Sequence, residues 1–255
     1  QIETETECCS ESLSRQYPAV RNASRYLSVH GFPPFSGTKV TYFPTGESFF
    51  DDCLLTLKKA QKNIFLSFFI LREGMLWSKF YEILVDKAKQ GVDVRILLDD
   101  AGTMFNISVN FIDELNRAGI HVLLFNPTHR YLNNLYLNYR NHQKIIIIDS
   151  DTGYTGGMNL ADEYSNYTSP FGYWKDTGVR LDGHGVYGLT VTFLNMWDQT
   201  EGRLSDSYAL YRPTQHISEE GFCQVFSDGS ANNPQNPAEG LIYRMIESAA
   251  KYVYL

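Results

Sequence analysis

Residues 63–98 read NIFLSFFILREGMLWSKFYEILVDKAKQGVDVRILL, and their pattern sets the fold class. The first eight residues are almost all apolar, without the alternation of a strand that has one wet face, so they predict a strand buried on both sides. Residues 76–90 place Leu76, Phe80, Ile83 and Leu84 at helical spacing, and Gly91 stops the helix. Residues 92–98 form a second apolar run that closes on Asp99 and Asp100. Two buried strands joined by a helix are the crossover unit of a parallel pair. Working outward, the sequence predicts a strand over 40–43 and a helix over 47–62. Beyond the unit come a helix over 109–117, a strand over 120–125, a Tyr- and Asn-rich loop over 126–139, and a strand run over 143–149. A tight turn, a strand over 153–157, another over 174–181 and a helix over 185–197 follow. The expectation is an α/β fold with a largely parallel mixed sheet covered on both faces.

The 255 residues are 43% hydrophobic, enough to bury a core and to make one large or two small domains. A formal charge of -7 argues against a nucleic-acid partner, because a phosphate backbone demands clustered Lys and Arg. Cys8, Cys9, Cys53 and Cys223 have neither disulfide-scaffold nor Cys-x-x-Cys spacing and read as reduced cytoplasmic thiols. Asn22, Asn106 and Asn166 start Asn-x-Ser/Thr triplets, taken as chance matches in an Asn-rich chain. The apolar run 64–71 falls far short of the ~18 residues that cross a bilayer. Starting at Gln1 and stopping at Leu255 inside an apolar run, the chain reads as a piece of a longer protein, with any membrane anchor outside it.

Residues 1–19 are polar and acidic without a period, and 20–30 predict a short helix ended by Gly31, Pro33 and Pro34, so 1–35 reads as a tether. One internal repeat is visible. DDCLLTLKKAQKNIFL (51–66) aligns without gaps on GLIYRMIESAAKYVYL (240–255), matching Leu57 with Ile246, Ala60 with Ala249, Lys62 with Lys251 and Leu66 with Leu255. The resulting division is a main unit over 36–215 and the start of a second copy over 216–255.

The chemistry concentrates in NHQKIIIIDSDTGYTGGMN, residues 141–159. On an extended strand, His142 and Lys144 share a side while Gln143 points away. An imidazole able to attack phosphorus beside a fixed ammonium suits a tetrahedral phosphate, and Asn159 adds an amide donor. Gly156 and Gly157 allow a positive-φ turn or close backbone approach to a ligand.

His142-x-Lys144-x4-Asp149-x6-Gly156-Gly157-x-Asn159 resembles the signature of the phospholipase D superfamily, the HKD motif. The wider text RNHQKIIIIDSDTGYTGGMNLADEY and FGYWKDTGVRLDG is similar to bacterial cardiolipin synthases, as are GTKVTYFPTGESFF and DVRILLDDAG upstream. The resemblance covers roughly residues 25–255. It implies a phospholipase D-like α-β-α sandwich: one full half plus the start of a second. It also implies a two-step mechanism without metal or cofactor, through a phosphohistidine at His142. Lys144, Asn159 and Gly157 would hold the phosphate, with Asp149 and Gly156 as structural members of the motif. The carboxylate that orients the nucleophile matches Asp176, and a carboxylate on the far ring N–H is what fixes an imidazole's tautomer. Asp162 and Glu163 are weaker rivals for that role.

The chain departs from the family pattern where Arg commonly follows the nucleophile, here Gln143, and where His commonly follows the Asp-Thr pair, here Gly178. None of His30, His121, His129, His184 and His216 is followed by Lys two residues on, so a second motif is absent. The residues 1–255 alone are therefore expected to be inactive without a second catalytic half. The implied partners are that half and an anionic phospholipid, phosphatidylglycerol, at the cytoplasmic face of the membrane, with Tyr131, Tyr136, Tyr139, Tyr173 and Trp174 as headgroup contacts. The competing expectations are a hydrolase or nuclease using the same residues, and a non-catalytic lipid-binding module.

Overall fold

The computed structural model describes residues 2–128, 139–203, 207–215, 217–219, 221–228 and 236–254. Among them seven strands form one sheet: β1 (Thr38–Phe43), β2 (Asn63–Phe68), β3 (Asp93–Asp99), β4 (His121–Phe125), β5 (Ile145–Ile148), β6 (Thr152–Gly156) and β7 (Gly178–Gly183). Their order is β1-β7-β6-β5-β2-β3-β4. β2 pairs in parallel with β3, and β3 with β4. The other four pairings, β1 with β7, β7 with β6, β6 with β5 and β5 with β2, are antiparallel. The sheet is thus mixed, and the largely parallel character expected of it is confined to β2-β3-β4. β2, β3 and β4 are sheet neighbours joined by helices Met75–Lys89 and Phe111–Arg117, whereas helix Gly46–Leu57 carries the chain from β1 to a strand it does not pair with, and β5 and β6 are joined by a hairpin turn.

The helices are α1 (Ile2–Gln16), α2 (Arg21–Val29), α3 (Gly46–Leu57), α4 (Met75–Lys89), the single turn α5 (Asp100–Thr103), α6 (Phe111–Arg117), α7 (Val186–Glu201) and α8 (Pro237–Glu247). Strand residues alternate between two cores. Ile64, Leu66 and Phe68 of β2 join Val94, Ile96 and Leu98 of β3 under α3, α4 and α6. Phe65, Leu97, Ile145 and Ile147 pack instead against Val186, Leu189, Phe193 and Trp197 of α7. All six residues of β2 are buried, as its unbroken apolar run requires. Burial of each large apolar side chain contributes about 1.5–3 kcal/mol, so β2 and its neighbours anchor the sandwich.

Two segments differ from the sequence reading. Residues 2–16 are helical, although no period was legible: the helix is polar, and Leu13 is its buried apolar residue among those whose packing is described. The run 174–181 begins as strand only at Gly178. Ahead of it, Trp174 N–H donates to Asn166 Oδ1 and Thr177 N–H to Asp176 Oδ1, local bonds that replace the sheet ladder. The repeated helix is present as α8, which packs on α2 through Leu241 and through Arg244, 4.4 Å over the Tyr26 ring. Positions buried in the first copy are open in the second. Cys53, Leu57 and Ile64 are fully buried, while their counterparts Ile242, Ile246 and Val253 are 54%, 40% and 43% exposed.

The β5–β6 connection explains Asp149. Asp149 and Ser150 both have positive φ, 56° and 60°, and Asp151 N–H reaches Ile148 O, the geometry of a type I′ turn. Non-glycine residues are strained there. The strain is offset because the Asp149 carboxylate accepts the N–H groups of Gln61, Lys62 and Asn63, and Ser150 Oγ donates to Asn63 Oδ1. Replacing Asp149 with Ala is expected to destabilise the fold by about 2–3 kcal/mol, from loss of a charged acceptor to three amides. Thermal denaturation should show it as a drop of roughly 4–10 °C; an unchanged midpoint contradicts the assignment.

Candidate active site

Because β5 runs antiparallel to β2, its beginning lies beside the end of β2, and the same edge holds the end of β3, the end of β6 and the start of β7. In open α/β sheets, ligands bind at the carboxyl ends of the parallel strands. That edge collects Ser67 from β2 and Phe69 just after it, Asp99 from β3, His142 and Lys144 before β5, Gly156 at the end of β6 with Gly157 after it, and Asp176 before β7.

His142 is exposed, and its ring meets the Phe69 ring edge-on with centroids 4.9 Å apart. Among the described residues no group hydrogen-bonds its imidazole. Desolvation, then the neighbouring Lys144 charge, lowers its pKa, while Asp99 pulls the other way. The ring is thereby biased toward the neutral form, whose lone pair is the nucleophile. Lys144 is 6% exposed, with Nζ 2.6 Å from His142 O and 5.6 Å from the Phe69 ring centroid. Burial lowers its pKa to about 8, against the pull of Asp176 and Asp99. His142 and Lys144 therefore share one neighbourhood, as their spacing predicted, on extended chain just ahead of the strand.

Asn159 is buried. Its Oδ1 accepts Ile70 N–H at 3.0 Å and its Nδ2 donates to Tyr164 Oη at 2.9 Å, so it ties the end of β2 to the loop after β6. Neither Gly156 nor Gly157 has positive φ, which corrects half of the expectation for them. Close approach is their reason. A Cβ at Gly156 would lie 2.6 Å from Thr177 O, and one at Gly157 would overlap the Asp176 carboxylate. Asp176 accepts Thr177 N–H at 2.8 Å and the Trp174 indole N–H at 3.5 Å. It reaches the site electrostatically through Lys144, and no hydrogen bond joins it to His142. Asp162 and Glu163 are engaged elsewhere: Asp162 accepts the Met75 and Leu76 N–H groups at the start of α4, and Glu163 pairs with Arg72 at 2.7 Å.

The sequence reading missed Asp99, Arg140 and Asn141. Asp99 is fully buried and accepts Asn141 N–H at 2.8 Å, Gly102 N–H at 3.2 Å and Arg140 Nη1 at 3.3 Å. Its signal was available: a carboxylate closing a buried strand at the sheet's ligand-binding edge. Of the two departures, Gly178 stands under Phe49 and Met158, where a Cβ would approach within 2.5 and 2.8 Å. Gln143 turns to the opposite face and lines a cavity of about 360 Å³ with Phe32, Tyr187, Asn195 and Met196. Tyr173 is exposed and Trp174 half-buried against Tyr164, whereas Tyr131 and Tyr136 lie outside the described residues, as do His129 and His216.

Residues 54–168 match the family model of the cardiolipin synthase, phospholipase D-like domain. The chain belongs to the phospholipase D superfamily. Cardiolipin synthases are among its relatives: the major cardiolipin synthase ClsA of Bacillus subtilis (strain 168) is 42% identical over 215 residues, covering 82% of this chain and 43% of that protein. Cardiolipin synthase 2 of Bacillus anthracis is 34% identical over 220 residues, 86% of this chain and 42% of that protein. The chain spans about half the length of the relatives it matches or somewhat less. Among solved structures, phosphatidylserine synthase from Haemophilus influenzae Rd KW20 shares the fold, with a TM-score of 0.52 at 14% identity over 74% of this chain and 45% of that one.

An ammonium with a pKa near 8 gives the site a testable pH dependence. Lys144 carries its charge below about 8 and loses it above. Binding of inorganic phosphate or tungstate, followed by calorimetry, should therefore weaken as pH rises through that value. Because Asp176 holds the ammonium pKa up, Asp176→Asn should move the loss to lower pH; a pH-independent affinity from 7 to 9 would exclude Lys144 as the anion's counter-charge.

Proposed function

We propose that this chain is the nucleophile-bearing half of an enzyme that joins two phosphatidylglycerol molecules into cardiolipin. The observation that carries the reading is an exposed imidazole, biased toward its neutral form, directly beside a buried ammonium at the ligand-binding edge of the sheet. His142 attacks the phosphodiester phosphorus, a phosphatidyl-histidine forms, and glycerol leaves with a proton from a second acid. The primary hydroxyl of another phosphatidylglycerol then attacks phosphorus, its proton passes to the same group, and His142 is released. Lys144 offsets the charge that develops on the phosphoryl oxygens. Gly157 and Asn159 complete the phosphate wall, and Asp176 keeps Lys144 charged.

The acid belongs to a second catalytic half, without which residues 1–255 are inactive. The open apolar side of α8, with Ile242 and Ile246, supports such a partner, since the same positions of α3 are sealed by a sheet. A membrane-surface setting on the cytoplasmic side fits the edge itself. Met104, Phe105 and Val109 after β3, and Phe171 and Tyr173 before β7, are 44–101% exposed, and apolar tips of this kind enter the headgroup boundary. No helix among the described residues is long and apolar enough to cross a membrane.

The test is a transfer assay on phosphatidylglycerol vesicles with the full-length protein. Cardiolipin and glycerol are the expected products, and His142→Ala should lower the rate by at least about 10³-fold. Phosphatidic acid as the sole lipid product would make the enzyme a hydrolase instead, and full activity in the His142 variant would remove the nucleophile.

A further inference from the structure

The proposed nucleophile is an exposed side chain whose ring touches Phe69 edge-on but makes no hydrogen bond among the described residues, on a segment that lies ahead of β5 and outside the sheet ladder. Catalysis by covalent attack needs the opposite, a ring kept on line with phosphorus, because a misplacement of about 1 Å can lower the rate about 100-fold. The restraint must come through the backbone. Three backbone groups around His142 have partners: the N–H of Asn141, the N–H of Gln143 and the carbonyl of His142 itself. Asn141 is 3% exposed, and its side chain works in two directions: Oδ1 accepts the Gln143 N–H at 3.1 Å, arching over His142 as an Asx turn, while Nδ2 donates to Ser67 Oγ at 3.0 Å on β2. Asn141 N–H is bound by Asp99 Oδ2 at 2.8 Å. On the far side, His142 O accepts the Lys144 ammonium.

We infer that Asn141 is the positioning residue of the nucleophile: clamped to β3 through Asp99 and to β2 through Ser67, it fixes the His142 peptide so that the imidazole faces the phosphate. This rests on the assignment of His142 as nucleophile. The clamp joins two strands that are themselves hydrogen-bonded and buried, so its anchors are among the most rigid atoms of the sheet. Asp99 has a second effect, since its charge favours the protonated ring and therefore the cationic imidazole that develops on attack at phosphorus. Asp176, the carboxylate the sequence pointed to, has neither connection to His142 in this structure.

In the full-length protein, Asn141→Ala is expected to lower kcat about 10- to 100-fold with KM within about 2-fold, because substrate contacts remain and alignment is lost. Asn141→Ser, which retains a short acceptor able to form the same turn, should recover part of the loss. Ser67→Ala removes one anchor and little volume, and should give a smaller loss in the same direction even if the Asn141 variants unfold. The readout that a merely structural role would not move is the titration of His142, followed by NMR of isotope-labelled histidine in this chain. Asp99→Asn should lower the His142 pKa, while Asp162→Asn, a control that uncaps α4, should leave it in place. Wild-type kcat in folded Asn141→Ala or Ser67→Ala, or an unmoved titration in Asp99→Asn, overturns the positioning role. If His142→Ala itself keeps activity, the failure belongs to the nucleophile assignment and not to the clamp.

Discussion

Everything at the catalytic edge depends on the antiparallel register of Ile64–Ser67 against Ile145–Ile148. Were β5 parallel to β2, as its neighbours β3 and β4 are, the residues before it would emerge at the opposite end of the sheet from Asp99 and Phe69. The reversal brings the HKD segment to the carboxyl ends of β2 and β3. All four β5 residues are buried isoleucines, Ile146 and Ile148 toward α3 and α4, Ile145 and Ile147 toward α7, so the register is specified at the ends, where Asp149 binds the 61–63 amides and Asn141 binds Ser67. A one-residue slip would break both contacts and drive Lys144 or Asp149 into the strand.

The edge also shows how a sheet tolerates charge in its interior. Asp99 has no exposed surface, and burial raises its pKa. It is nevertheless matched by two amide N–H groups and the Arg140 guanidinium, partners whose removal would leave a buried group unsatisfied. Lys144 is treated differently. Its ammonium is bound to one carbonyl oxygen and lies near Phe69, so much of its desolvation is uncompensated until an anion arrives. A site built this way leaves its affinity to be realised by the phosphate.

Much of this was legible in the sequence, for identifiable reasons. The strands over 63–70 and 92–98 were readable because burial on both faces removes alternation, the edge strand over 120–125 because of its apolar run, and the helix over 76–90 because its apolar stripe is strong. His142, Lys144 and Asp149 were legible from spacing. What stayed hidden was contact between distant segments. The strand-end position of Asp99 hints at a role but not at its partners, and Asn141 reads as a loop residue, until β3 and the segment before β5 are side by side. The same holds for Asp176, which in the structure serves the ammonium and not the imidazole. The tight turn after the 143–149 run was legible too, whereas the antiparallel pairing of β1 with β7 joins distant segments and was not.

The Asp149 turn has a consequence for how the chain acquires its shape. Its acceptor oxygens are separated from the amides they bind by 86–88 residues of sequence, while the turn they stabilise is strained without them. At about 5–20 residues per second, a ribosome releases the amides of 61–63 roughly 4–18 s before the carboxylate exists. The hairpin that follows His142 thus cannot settle as a local event. It locks only when β2 is already in place, so the edge that carries His142 is completed after the parallel strands.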